Sequence, residues 1–562
     1  MSFLATATAA AYECRAGSEL PLYALKHRKA QKQRGFRAKS TYGHCIKDKV
    51  LIDPPYNTGN DFIYNDDFKV SSEEYADESG EVDKEGNRMF KNTDSNGRFH
   101  SDWCSMIYSR LMLARNLLSE DGVIFISIDE KESANLRKIG DEVFGESNFV
   151  SNIIWQSRTS ISNDYEVSLN HNHTLIYSKN RASLVFGGDP IDSSEYVNPD
   201  NDPRGPWKLV PLDANHAGGD TVYPVTNPKT GVDYLPPNGR IWCYNRTTME
   251  QLIADRRIKF GLNDDSAPKR KLYLRERLEK GDKKTPSSIL LDAGTTKDGT
   301  SEIMNLFDGQ KLFDYPKSGD FIKRLIQYGA PSGGLVMDFF AGSGTTAQAA
   351  MEYASENGVN IRYIMVQLPE DLDRSSKMAS SDAKKTLDNA IAFLDSLKKP
   401  HLITELSKQR ICRAAKKIHE DNPDATFDDG FRVLKLDDTN MKDVYYAAGD
   451  YTQDLVSMLE SNVKPDRTDL DLLFGCLIEW GLPLSLPYTS ETIDGCMVHT
   501  YNDGDLIACF DENVPESVIK TIAKRQPLRA VFRDFSFASS PEKINVGEIF
   551  KLLAPDTRVK VI

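Results

Sequence analysis

A chain of 562 residues is too long for one hydrophobic core, so three or four domains are expected. With 40% hydrophobic and 27% charged residues the composition is that of an ordinary globular protein, and no apolar run reaches the length of a membrane span. The net charge of −13 argues against a protein that simply coats nucleic acid, although local basic patches remain compatible with it.

Met1 to Ala10 is mildly apolar with no basic region before it and reads as no signal peptide. The eight cysteines (Cys14, Cys45, Cys104, Cys243, Cys412, Cys476, Cys496, Cys509) are scattered, with no C-x-x-C pair. Reduced thiols in a cytoplasm are expected, with neither disulfides nor a metal site. Residues 1–45 form an atypical basic arm. Lys26 to Lys39 holds seven Lys/Arg and no acid, without helical or strand periodicity, which fits a disordered segment or a DNA-contacting arm.

Val50-Leu51-Ile52 reads as a buried strand. Asp53-Pro54-Pro55-Tyr56 follows it directly, and the prolines end the ladder because neither has an N–H to donate. A carboxylate, a proline carbonyl and a flat aromatic ring are thus presented at the carboxyl end of a strand, where open α/β sheets bind ligands. Those groups suit a planar base with an exocyclic amine. Phe62 to Phe68 continues as a loop, and Asp77 to Gly97 is a polar insert. Trp103 to Leu118 has helical spacing, with Ser101 or Asp102 as its cap. Val123 to Ile128 is a buried strand and Ser133 to Val143 an amphipathic helix. The alternation implies a parallel sheet with helices on its faces.

From Ser151 to Leu306 strands and turns dominate, including Ile153–Trp155 and Thr174–Tyr177. Arg256 to Lys284 carries eleven Lys/Arg against five acids, a net +6 on an acidic chain, and is read as a phosphate-contacting surface. The pair His171 and His173 is read as structural. Val336 to Phe340 is a strand, Ala341-Gly342-Ser343-Gly344 a glycine turn, and Thr345 opens a helix that leads to a strand from Ile361 to Leu368. This is a βαβ unit whose glycines let backbone approach a ligand. Ala383 to Glu420 reads as two helices broken at Pro400, and the remainder as acidic mixed α/β.

A glycine turn or a D-P-P-Y alone is a weak signal. In this order, about 285 residues apart with a basic β-rich insert between, they are a strong one. Together they resemble a beta-class amino-methylating DNA methyltransferase, and the chain most resembles the modification (Mod) subunit of Type III restriction–modification systems. The stretches that carry this are DPPYNTGNDFIYNDDF (53–68), HSDWCSMIYSRLMLARNLLSEDGVIFISID (100–129), FDYPKS (313–318), MDFFAGSGTTAQA (337–349) and YIMVQLPE (363–370).

The resemblance implies an α/β fold: a Rossmann-like methyltransferase sheet with helices on both faces, a β-rich target-recognition insert and an α/β C-terminal domain. Its parts fall at 46–150 (catalytic half), 151–306 (recognition insert), 307–395 (cofactor half) and 396–562 (partner or dimer domain). It implies adenine-N6 methylation of duplex DNA from S-adenosylmethionine, a homodimer and a restriction (Res) subunit as partner. Asp53, Pro54, Pro55 and Tyr56 would be catalytic. Lys317, Asp338, Phe340, Ala341, Gly342, Ser343, Gly344, Thr345 and Gln367 would hold the cofactor, with Glu370 the alternative to Gln367 at the ribose. Residues 1–45 depart from the family pattern, only Tyr23-Ala24-Leu25-Lys26 resembling it. A remnant that binds without turnover, and a cytosine-N4 methyltransferase, are the alternatives.

Overall fold

A computed structural model describes residues 6–10, 48–57, 62–64, 89–91, 98–161, 166–215, 221–261, 265–379, 381–437, 439–442, 463–537 and 540–562. The basic run 26–39 lies outside them. The chain forms two compact units, His44–Asp428, and Met1–Gly43 with Asp429–Ile562. The expected boundary at 396 falls inside the first.

The larger unit is built on a seven-stranded sheet. Its strands are β1 (Asp48–Ile52), β2 (Val123–Ile128), β3 (Phe149–Gln156), β4 (His171–Ser178), β5 (Ile289–Leu290), β6 (Gly334–Asp338) and β7 (Ile361–Met365). Their spatial order is β5-β3-β4-β2-β1-β6-β7. Strands β2, β1, β6 and β7 run parallel. Strand β4 is antiparallel to both β2 and β3, so the sheet is mixed rather than parallel throughout. Strands β3, β4 and β5, mostly assigned from sequence to the recognition insert, extend this sheet. The physical reason is an edge: β2 exposes a row of backbone donors and acceptors, and β4, with its own apolar residues, covers it.

Alternation along β1 and β2 explains why both sheet faces are covered. Val50, Ile52, Ile124 and Ile126 pack against α1 (Phe99–Leu117) and α2 (Glu130–Phe144), with Trp103, Met106, Ile107, Leu111 and Leu136 opposite them. Leu51, Val123 and Phe125 face the other way, toward α4 (Gly319–Gly329) and α5 (Thr345–Asn357). Each fully buried aliphatic or aromatic side chain contributes roughly 1.5–3 kcal/mol. Helix α1 begins at Phe99, four residues before the expected start, and no side chain caps it; Asp102 instead pairs with Arg98 at 2.9 Å. Phe62–Tyr64, expected in a loop, is a strand paired with Met89–Lys91. Two further helices matter below, α3 (Thr296–Leu306) and α6 (Ile403–Asp421).

Helix α1 leads from β1 to β2 over one face, and α5 leads from β6 to β7 over the other. Because β1 and β6 are neighbours, the connections diverge there and leave a crevice at their carboxyl ends, the switch point at which such sheets bind ligands.

The intervening region holds short strands, the longest of them Trp207–Pro211 paired with Lys269–Tyr273, around a small core of Leu212, Tyr223, Trp242, Met249 and Phe260. In the second unit, backbone Thr6–Ala10 pairs with Val433–Asp437, and Tyr488–Ile493, Cys496–Tyr501, Leu506–Cys509, Arg529–Phe532 and Arg558–Val561 form a five-stranded mixed sheet. Cys104, Cys243, Cys476, Cys496 and Cys509 are free thiols, and Cys14 and Cys45 lie outside the described residues. Among the described residues no helix is long and apolar enough to cross a membrane.

Candidate active site

The turn after β1 is rigid for reasons that can be named. Pro54 is buried and the Trp103 indole N–H donates to the Pro55 carbonyl at 2.7 Å. Asn57 takes a left-handed φ of 59°, and its amide donates to Glu132 Oε1 at 2.6 Å and to the Phe99 carbonyl at 3.2 Å. Glu132 is wholly buried and also takes His100 Nδ1 at 2.5 Å and Asn135 Nδ2 at 2.8 Å. A carboxylate buried this way is held by its donors. Among the described residues, the Pro54 carbonyl and Asp53 Oδ2 accept no hydrogen bond.

Asp53 Oδ1 is engaged twice. The Tyr56 hydroxyl donates to it at 2.7 Å, and the Lys317 ammonium lies 3.1 Å away. Lys317 also donates to the Tyr56 hydroxyl and stands 4.5 Å from its ring centroid. Burial, and then the charge and hydrogen bond of Asp53, hold the Tyr56 phenol well above its ordinary range, hence protonated. Lys317 reaches the turn because Gly299 of α3 lets its segment pass: a Cβ there would stand 2.5 Å from the Pro316 oxygen.

Strand β6 ends at Asp338, buried at 4% exposure. It accepts from Thr346 Oγ1 at 2.7 Å and from the Phe340 amide at 3.0 Å. Gly342 and Gly344 take φ of 48° and 79°, the left-handed region that favours glycine. The Gly342 amide donates to Gln367 Oε1 at 2.8 Å, and Ser407 donates to the Gly342 carbonyl. The Gln367 carbonyl oxygen therefore braces the turn, and Glu370 accepts from Ser375 at 2.5 Å.

Beneath the turn lies Arg410 of α6, with no exposed surface. It donates to Ser343 Oγ at 2.7 Å, Thr345 Oγ1 at 2.6 Å and Gln348 Oε1 at 2.8 Å, and faces Glu302 at 3.8 Å. Glu302 in turn accepts from the first amide of α4, Gly319, at 3.0 Å. Neither residue was expected from sequence. The signal for Arg410 was there: it occupies the apolar stripe Leu406–Arg410–Ala414, four residues from each. Glu132 has the same signature, four residues before Leu136.

A cavity of about 210 Å³ joins the two halves. Asp53, Lys317, Asp338, Phe340, Ala341, Gly342, Ser343 and Thr345 line it, together with Tyr315 and Ile403. Backbone held open by two left-handed glycines beside a helix N-terminus and a buried acid suits a zwitterionic nucleoside cofactor. Tyr315, 80% exposed with φ of 49° before Pro316, stands among the lining residues.

His171 and His173 lie apart from this cavity's lining. Glu130 joins them, the three ligand atoms within 4.8 Å of one another, but both His173 ring nitrogens are engaged, by Glu130 at 2.6 Å and Asn152 at 2.9 Å.

Burial pushes the Asp338 carboxyl up to about 7, against the Thr346 and Phe340 hydrogen bonds, with the Asp53 charge adding to the rise. An unfolded Asp titrates near 3.9, so between about pH 4 and pH 7 the folded chain binds the extra proton and stability falls as pH rises. The urea midpoint is expected to drop between about pH 5 and pH 8, and to drop less in Asp338→Asn, which stays neutral. Equal drops would assign the effect to another group.

A sequence model of the DNA methylase family matches residues 48–371. The Type III restriction-modification enzyme StyLTI Mod subunit of Salmonella typhimurium is 35% identical over 400 residues, which cover 69% of this chain and 56% of that protein. This chain thus spans little more than half that relative's length. The EcoP15I Mod subunit of Escherichia coli is 29% identical over 565 residues, 92% of this chain and 81% of that one. The EcoPI Mod subunit of Escherichia phage P1 is 29% identical over 541 residues, 88% and 78%.

Proposed function

Because this chain belongs to the DNA methylase family, we propose that it transfers a methyl group from S-adenosylmethionine to adenine N6 in duplex DNA, as the modification subunit of a Type III restriction–modification system. The observation that carries the chemistry is Asp53, which lines a cavity shared with the glycine turn and whose Oδ2, like the carbonyl of the next residue, Pro54, accepts no hydrogen bond among the described residues.

The amine of adenine is a poor nucleophile because its lone pair is delocalised into the ring. Two acceptors, Asp53 Oδ2 and the Pro54 carbonyl, take its two N–H bonds and favour a tetrahedral nitrogen as the bond to carbon forms. Tyr56 holds the carboxylate through Oδ1 and offers its ring to the base. The nucleotide leaves the duplex to reach this turn, at a cost of about a few kcal/mol. Bound S-adenosylmethionine supplies the electrophilic methyl. Asp338, the Phe340–Thr345 turn and Lys317 are the residues that would hold it, with Gln367 bracing the turn from behind.

The cations that would meet phosphates are few. Lys271 is buried against Asp200 and Asp202, and Arg257, Arg275 and Arg277 pair with acids. Arg256, Lys269, Lys280, Lys283 and Lys284 are exposed and, among the described residues, carry no ion pair. These five are assigned the backbone contacts. A homodimer, a restriction subunit as partner and a cytoplasmic setting follow from the same reading.

The test is incubation of the full chain with methyl-labelled S-adenosylmethionine and long mixed-sequence duplex DNA, then nucleoside analysis. N6-methyladenine is expected. Label in N4-methylcytosine would change the target base, and no label from folded protein would support a binding remnant.

A further inference from the structure

Among the described residues, Lys317 is the only lysine or arginine lining the cavity. Asp53, Asp314 and Asp338 are the carboxylates that line it among the described residues. Asp314 is paired with Lys311 at 2.5 Å and accepts from Thr386 at 3.0 Å, and Asp338 is turned toward Thr346 and Phe340. Asp53 is therefore the one carboxylate of the cavity that Lys317 pairs with, at 3.1 Å, while its side chain is only 9% exposed. A partly desolvated ammonium is attracted strongly to any anion within reach. The Lys317 backbone is fixed, packed on Gly299 and followed by an α4 N-terminus capped by Glu302. Its four-carbon stem is the part that can redirect.

We propose that Lys317 is a positioning residue shared by the two halves of the site: it serves the Asp53–Tyr56 pair and the amino-acid carboxylate of the cofactor with one ammonium, so occupancy of the cofactor cavity alters the base-binding turn. This rests on the S-adenosylmethionine reading above. In that arrangement Asp53 competes with the cofactor carboxylate for the same cation. By linkage, whatever the cofactor withdraws from Asp53 returns as a change in cofactor affinity when Asp53 loses its charge. The carboxylate of Asp53, freed of one of its two Oδ1 contacts, also becomes a better acceptor for an incoming amine only when cofactor is present. That orders the two substrates without a moving domain.

The experiment is a double-mutant cycle by titration calorimetry on the full chain: wild type, Asp53→Asn, Lys317→Met and the double variant, with Lys317→Gln as a second replacement and thermal melts to verify folding. The probes are S-adenosylhomocysteine, which carries the carboxylate but no sulfonium, and 5′-methylthioadenosine, which lacks the amino-acid moiety. Asp53→Asn is expected to tighten S-adenosylhomocysteine about fivefold or more, a typical coupling, and to leave methylthioadenosine within about twofold. With Lys317 replaced, the gain disappears. An unchanged affinity, the same gain without Lys317, or an equal gain for both probes overturns the shared lysine while leaving the cofactor reading intact. Failure of wild type to bind either probe overturns both.

Discussion

Asp53→Ala is expected to lower methyl transfer by about 10²–10³-fold or more in single turnover, without weakening S-adenosylhomocysteine binding. The side chain supplies an acceptor whose interaction strengthens as the amine pyramidalises, so its loss falls on the chemical step rather than on binding. The structure separates this from collapse of the turn. Pro54 and Pro55 fix the backbone, Trp103 holds the Pro55 carbonyl, and Asn57 is anchored on Glu132, all independently of Asp53. Tyr56→Phe, which keeps the ring but loses the bond to Asp53 Oδ1, should cost less. If Asp53→Ala transfers at the wild-type rate, the amine is held elsewhere.

Arg410→Met should destabilise the unit 44–428 by about 3–5 kcal/mol, the cost of removing one partner from a buried ionic network. Burial lowers the guanidinium to about 10, so it is still charged at neutral pH. Without it Ser343, Thr345 and Gln348 lose their donor, and Glu302 loses its cation. Burial already raises the Glu302 carboxyl, and the loss should raise it further. The left-handed turn should then loosen, and S-adenosylhomocysteine affinity should fall by at least about tenfold, roughly 1.4 kcal/mol. Arg410→Lys should rescue little, because an ammonium cannot reproduce the fork that reaches Ser343, Thr345 and Gln348 together. Urea unfolding and calorimetry on the two variants check this. A full rescue by Lys would show that charge alone matters.

The local parts of the site were legible because their causes are local. Two prolines must end a strand, so the position of Asp53 and Tyr56 at a strand end follows from Val50 to Tyr56 alone. Gly342 and Gly344 sit where φ is positive, a demand of the turn itself. Helices α1 and α2 follow from apolar periodicity, strands β1, β2, β6 and β7 from short apolar runs, and α5 from the glycine turn before it, and all were expected within a few residues.

What the sequence could not decide is long-range. That β6 pairs with β1 across about 285 residues, that β4 enters the sheet antiparallel, and that Lys317 meets Asp53 all depend on which surfaces cover one another. The same holds for Arg410 and Glu132. A charge in an apolar stripe announces that something must pair with it, because burying it alone is too costly, but the partner is named only by the packed structure. Backbone chemistry thus determined the pieces of this site. The tertiary fold alone chose their neighbours, since burial and strand pairing are properties of contacts between distant segments.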